Sequence, residues 1–254
     1  MRRTASEGQF PDSAAEVQAA GTEVIGTRPG ARGKNKNWKC LGTHEQELRA
    51  RGYRYIAGAD EVGRGSLFGA VVAGAVILSG DAPVRGLNDS KQLDPDRREV
   101  LAERIRERAV AWAVASVDAA TIDRINIYEA SRLAMKMAVQ QLQPAADFLL
   151  VDAVPLDLPV PQQPLVQGDE RCHAIAAASI LAKVYRDQMM REWDKFYPEY
   201  GLANHKGYHS PEHIAAIRQF GPTPLHRLSF EPVHRLAVYS PLERHQQMEM
   251  FAAV

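Results

Sequence analysis

The stretch Tyr55–Leu78, YIAGADEVGRGSLFGAVVAGAVIL, decides how this chain is read. Two apolar runs flank Asp60, Glu61 and the turn Gly63-Arg64-Gly65. The second run follows the first too soon for a crossover helix, so the two are expected to pair as antiparallel strands. Adjacent carboxylates at the end of a buried strand are costly unless a cation compensates them. The glycines imitate a dinucleotide fingerprint, but Gly63, Gly65 and Gly69 have the spacing G-x-G-x-x-x-G and lead into a strand. The helix N-terminus that would hold a pyrophosphate is missing, so a Rossmann site is excluded. Glycines here let the backbone approach a ligand, with Arg64 beside it for a phosphate or carboxylate.

Outward from this stretch, EQELRA predicts a short helix before the first strand. DPDRREVLAERIRERA predicts an amphipathic helix, with Asp94 or Asp96 near its N-terminus and Pro95 in its first turn. VAWAVASV is a third strand. A helix is expected over TIDRINIYEASRLAMKMAVQQL, with Ile127, Ala130, Leu133, Met137 and Leu142 on its apolar side. DFLLVDA is a fourth strand running into Asp152, and the short run PLVQGD leads to a long helix. In that helix Ile175, Ala178, Ala182, Tyr185, Met189, Trp193 and Phe196 recur at steps of three and four. The fold class is therefore α/β, a mixed sheet with helices on it, and too irregular for a TIM barrel or a doubly wound sheet.

The chain has 254 residues, enough for one substantial domain or two small ones. Its 31 basic and 31 acidic side chains cancel, so any nucleic-acid contact must be a local patch. Cys40 and Cys172 are the only cysteines, which excludes a disulfide framework and a Cys-rich zinc site. No apolar run is long enough for a bilayer, and Met-Arg-Arg leads into no apolar signal core, so a cytoplasmic protein without a membrane partner is expected. Residues 1–38 lack an apolar period and read as a disordered basic extension.

Asp60 with Glu61, Asp152 and Asp169 each end an apolar run. Any one of them alone reads as a solvated loop acid or a helix cap, and Asp169 is placed to cap the long helix. Together, at strand ends, they suit hard divalent ions, Mg²⁺ or Mn²⁺. Two such ions can activate a water and stabilise a leaving oxygen in phosphodiester cleavage.

The segments GADEVGRG, LNDSKQL, VDA, QGDE, IAAASILAKVYRD, YPEYGLANHKGYHS and FGPTPLHRLSF occur in this order and span about residues 40–235. In that order they closely resemble the ribonuclease HII (type 2 ribonuclease H) family. The resemblance implies a ribonuclease H-like fold: a five-stranded mixed sheet flanked by helices, with a helical C-terminal part. Residues 39–240 would form that catalytic domain and 241–254 a tail. It implies an endonuclease that cuts the RNA strand of RNA–DNA hybrids and cuts 5′ of single ribonucleotides in duplex DNA, leaving 3′-hydroxyl and 5′-phosphate ends. Asp60, Glu61, Asp152 and Asp169 would be the catalytic, metal-binding acids for two Mn²⁺ or Mg²⁺ ions, with Asp60 bridging. Gly63, Arg64 and Gly65 would sense the 2′-hydroxyl, Tyr208 would pack on the following deoxyribose, and Ser90 and Lys91 would lie near the backbone. Lys183 and Arg186 would face phosphate or solvent from the long helix. A monomer is expected.

The chain departs from the family where proline is usual, with Ser66 and Ala70, changes expected to affect turn rigidity rather than chemistry. Glu170-Arg171-Cys172-His173 also differs from the usual serine- and lysine-containing segment. His205, His209 and His213 are spaced by four, but Gly207 and Pro211 interrupt the helix that a zinc face would need. His226 and His234 read as structural. QMEMF, Gln247–Phe251, resembles a sliding-clamp-binding pentapeptide, with a C-terminal helix packed on its own domain as the alternative. Two other functions stay open: a two-metal nuclease of the same fold without junction specificity, and a non-catalytic hybrid-binding module.

Overall fold

The structure is a computed structural model that describes residues 42–88 and 90–238. The extension over 1–38, Cys40, Asp89 and the pentapeptide Gln247–Phe251 lie outside these residues. Helix α1 (Thr43–Ala50) leads into strand β1 (Ile56–Val62), and β2 (Val71–Leu78) returns beside it, antiparallel as expected. Helix α2 (Pro95–Arg108) starts at Asp94, whose carboxylate accepts from Arg97 N at 2.8 Å, with Pro95 in the first turn. Strand β3 (Ala109–Val117) follows directly and pairs antiparallel with β2.

The helix expected over residues 121–142 is two helices, α3 (Ala119–Ile125) and α4 (Ile127–Gln140). The break falls at Asn126, whose φ of 67° leaves the helical region and whose side chain accepts from Tyr128 N and Glu129 N. Asparagine tolerates that conformation and caps well, so a local hydrogen-bonding choice overrides the apolar period. Strand β4 (Phe148–Asp152), β5 (Gln162–Leu165), the short α5 (Gly168–Arg171) and the long α6 (His173–Phe196) follow. Helices α7 (Leu202–His205), α8 (Pro211–Phe220) and α9 (Val233–Val238) form the C-terminal part.

The five strands are ordered β3-β2-β1-β4-β5, with β1, β4 and β5 parallel to one another. The strand residues alternate between two cores. Ala57, Ala59, Ala73, Ala75, Leu149 and Val151 meet α4 through Ala134, Met135 and Ala138. On the other face Val76, Trp112, Phe148 and Leu150 meet α2 and α6. Helix α6 lies unusually close to the sheet. A Cβ on Gly58 would stand 2.1 Å from the carbonyl carbon of Ala174, and one on Gly74 2.4 Å from the carbonyl oxygen of Ala178. Glycine on the strands and alanine on the helix thus make a flush joint.

The apolar stripe read along α6 holds for Ile175, Ala178 and Ala182, and fails at Phe196, which is 66% exposed. The first half of α6 is enclosed, from Ala174 to Ala182. The second half is ion-paired to α2 by Asp187 with Arg98 and Arg191 with Glu99, and packs through Arg186 and Met190 on the segment after the glycine turn and the C-terminal helices. Those helices build a separate cluster on Leu67 and Phe68, just after the glycine turn. Among the described residues no helix is long and apolar enough to cross a membrane.

Candidate active site

Ala59 of β1 pairs with Val151 of β4, and one residue further each strand carries an acid, Asp60 inside β1, which runs on to Val62, and Asp152 at the end of β4. By strand alternation both lie on the α6 side of the sheet, at the carboxyl ends where open α/β sheets bind ligands. Gln167, in the left-handed conformation at φ 55°, turns the chain from β5 into α5. That turn sets Asp169, also buried, in the first turn of the short helix. Gly168 N donates to Asp152 Oδ1 at 2.8 Å, and a Cβ on Gly168 would sit only 3.2 Å from that oxygen. At the start of the long helix Glu45 of α1 also contributes, its Oε1 accepting from Ala174 N at 2.8 Å.

The acids feel one another. Burial, then the charges of Glu61 and Asp152, push the pKa of Asp60 well above the usual carboxylate value. A hydrogen bond from Ser179 opposes the shift and Asp169 adds to it. Glu61 is also raised, chiefly by burial, against the downward pull of Arg64, whose Nη1 stands 3.1 Å from Glu61 Oε1. Lys91 Nζ lies 3.8 Å from Asp169 Oδ2. Among the described residues no three Asp, Glu, His or Cys side chains already close on a common point that would hold an ion. The donor set nevertheless fits a hard divalent cation: all oxygen, gathered from β1, the end of β4 and the first turn of α5, with one carboxyl strained by its neighbours.

The glycine turn stands directly beside these acids. Gly63 has φ 90°, and its carbonyl and that of Arg64 are each held at 2.7 Å by the guanidinium of Arg227. Arg227 Nε also donates to Gly69 O at 3.1 Å. Burial and nearby Arg186 push the pKa of Arg227 down to about 9, so it still carries its charge at neutral pH. With those carbonyls turned inward, the amides of Arg64 and Gly65 find no acceptor among the described residues, and both residues are exposed. Tyr208 is brought to the same place by an isolated bridge to Ser66.

The remaining expected residues divide. Lys91 is exposed, whereas Ser90 is buried and its hydroxyl meets Ser179 Oγ at 2.9 Å. Arg186 faces neither phosphate nor solvent. It is fully buried, and its Nη1 donates to Lys206 O at 3.0 Å. Lys183 pairs with Asp187 at 2.6 Å on its own helix. Reading the sequence missed Ser179 and Arg227 as parts of the site. Ser179 falls inside the alanine run of α6, where a lone hydroxyl was the available signal. Arg227 carries no local sign, because its partners lie more than a hundred residues away.

A family model described as ribonuclease HII matches residues 57–233. Ribonuclease HII of Solibacter usitatus is 70% identical over 214 residues, covering 84% of this chain and 93% of that protein. The crystal structure of ribonuclease H2 from Pyrococcus horikoshii superposes with a TM-score of 0.62 at 25% identity, covering 73% of this chain and 98% of that one. A PCNA:RNase HII complex from Archaeoglobus fulgidus matches with a TM-score of 0.60 at 25% identity, covering 71% of this chain and 96% of that one.

Proposed function

The chain belongs to the ribonuclease HII family, whose members are nuclease hydrolases, and from that premise we propose that it cuts the RNA strand of RNA–DNA hybrids and cuts 5′ of single ribonucleotides in duplex DNA. The observation that carries this reading is the set of acids that Asp60 feels, Glu61, Asp152 and Asp169, on adjacent parallel strands and the helix after them, with the exposed Arg64–Gly65 turn beside them. Asp60, Glu61, Asp152 and Asp169 would hold two divalent ions, Mg²⁺ or Mn²⁺. When bound, such ions activate water, stabilise the leaving oxygen and neutralise the phosphate.

The chain's own residues do the rest. The free amides of Arg64 and Gly65 donate to the 2′-oxygen of the ribonucleotide, which distinguishes it from deoxyribose. Tyr208 packs on the next sugar, and Lys91 and Arg64 supply positive charge to the backbone. Water adds to phosphorus and the P–O3′ bond breaks. The phosphate stays on the ribonucleotide as a 5′-phosphate, and the upstream sugar takes a proton as its 3′-hydroxyl.

The test is a duplex with one ribonucleotide, incubated with Mg²⁺, with Mn²⁺ and with chelator. Cleavage 5′ of the ribonucleotide is expected with metal, and a fall of at least about 10²-fold in Asp60→Asn. No cleavage with either ion leaves a hybrid-binding module. Cleavage of uniform hybrid alone leaves a nuclease without junction specificity. The related PCNA:RNase HII complex supports a second contact, of Gln247–Phe251 with a sliding clamp. Retention on immobilised clamp should be lost in Phe251→Ala, and unchanged retention rejects it.

A further inference from the structure

Ser66 is completely buried, and its hydroxyl lies where three chain segments meet. It stands 2.8 Å from Gly207 O and 2.9 Å from Phe68 O, and it accepts from Arg186 Nη2 at 2.7 Å. A hydroxyl has one proton, so it serves one of the two carbonyls at a time while Arg186 fixes its lone pair. Arg186 spans the same gap, donating to Ala70 O at 3.3 Å and Phe68 O at 3.2 Å on one side and to Lys206 O at 3.0 Å on the other. Its guanidinium carbon also lies 5.3 Å from the centre of the Tyr208 ring. Leu67 N donates to Gly207 O at 2.8 Å, and Gly207, at φ 75°, leaves room for the contact: a Cβ there would come within 2.9 Å of Ser66 Oγ.

The segment carrying the glycine turn and the segment carrying Tyr208 are 141 residues apart at Ser66 and Gly207, yet are tied by these two side chains. We infer that Ser66 and Arg186 are positioning residues that make the Gly63–Gly65 turn and Tyr208 one rigid reading head, and so set the preference for a ribonucleotide followed by a deoxyribonucleotide. The inference rests on the junction-cutting reading above. A uniform hybrid offers a 2′-hydroxyl at every step and makes little demand on the spacing of the two readers. A single ribonucleotide offers one register, and both readers must fit it together. Small losses of alignment are felt in the reaction rate. Proline at position 66 would remove both the hydroxyl and the amide that donates to Gly63 O at 3.3 Å.

The experiment compares Ser66→Ala, Ser66→Thr and Arg186→Lys with the wild type. Ser66→Cys stands in if Ser66→Ala does not fold. Two quantities are read: amide exchange over 63–69 and 206–208, and the ratio of kcat/KM on the single-ribonucleotide duplex to that on uniform hybrid. Ser66→Ala and Arg186→Lys should speed exchange in both segments together and lower the ratio about tenfold, the scale of one buried group left unpaired. Ser66→Thr, which keeps the hydroxyl, should restore the ratio. Exchange raised only over 63–69, or a ratio within twofold of wild type, overturns the inference. A wild type without junction preference overturns it through the functional reading instead, and the exchange data, which need no substrate, tell the two failures apart.

Discussion

On the proposed function, Asp60 is the side chain at which stability and activity pull apart. Its raised pKa means that the folded, cation-free chain binds a proton there more tightly than the unfolded chain does. Its contribution to stability is therefore greatest below the ordinary carboxylate range and falls as pH rises through the raised value. Asp60→Asn should remove that pH-dependent loss and raise Tm by a few degrees at pH 7.5 without added metal, about 2–4 °C for each kcal/mol. Wild type should gain Tm on adding Mn²⁺ or Mg²⁺, and the variant should gain much less. Thermal melts with and without metal check both; equal metal shifts would remove Asp60 from the ion site. Arg227 is the opposite case, a buried cation that secures three carbonyls of the glycine turn. Arg227→Met should cost about 1–3 kcal/mol, because the carbonyls it leaves behind are sealed from water. Chemical denaturation measures it, and a cost below 0.5 kcal/mol would mean that water takes over the turn.

The joint between α6 and the sheet was half legible in the sequence. The apolar runs of β1 and β2 and the apolar stripe at the start of α6 read correctly as buried elements, because such patterns are local signals. That Gly58 and Gly74 exist for the closeness of α6 was not readable, since the partner backbone is a hundred residues away. Gly58→Ala should lower Tm by at least about 5 °C, as overpacking against backbone cannot be relieved by a rotamer change. Gly65→Ala, with open space around it, should leave Tm in place and serves as the control. The histidines of α8 and the loop after it show the same limit. The sequence argued against a zinc face at His205, His209 and His213 and read His226 as structural, but gave no sign that the fold pairs His213 Nε2 with His226 Nε2 at 3.2 Å. Thr223 N donates to His226 Nδ1, so His226 carries its proton on Nε2 and gives it to His213, whose Nδ1–H reaches Tyr208 O at 3.0 Å. Burial holds the two pKa values down, to about 4 for His213 and about 3 for His226. The unfolded chain takes up protons at both from about pH 6.5 downward while the fold does not. Stability from this pair is present above that pH and is lost as the pH falls toward 4. Nitrogen-15 NMR should find the Nδ1–H form at His213 and the Nε2–H form at His226 from pH 5 to 8; titration of either near 6.5 would break the relay.

For the molecule as a whole, the antiparallel pair of β1 and β2 was within reach of the residues, and the five-stranded mixed sheet with its helical C-terminal part within reach of the family resemblance. The inward-facing arginines were not, and they determine how the site's parts are held together. Arg186 read as facing phosphate or solvent because it is charged and sits on a helix, yet the fold spends it on backbone carbonyls. This reassignment bears on nucleic-acid affinity. The chain is neutral overall, with 31 basic and 31 acidic side chains, so no global field draws in a polyanion. With Arg186 and Arg227 buried and Lys183 bound to Asp187, the exposed cations that reach the acids among the described residues are Arg64 and Lys91, paired to Glu61 and Asp169. Each phosphate neutralised steepens the fall of log K against log salt by about 0.9. On the proposed function, Asp60→Asn should therefore bind the single-ribonucleotide duplex with a slope no steeper than about −4 between 50 and 200 mM salt. Lys91→Ala should make that slope shallower by about one and weaken junction and all-DNA duplexes alike, since a phosphate contact carries no sugar identity. Fluorescence anisotropy across the salt series measures it, and a slope near −10 would show that a broad basic surface, rather than this small patch, holds the duplex.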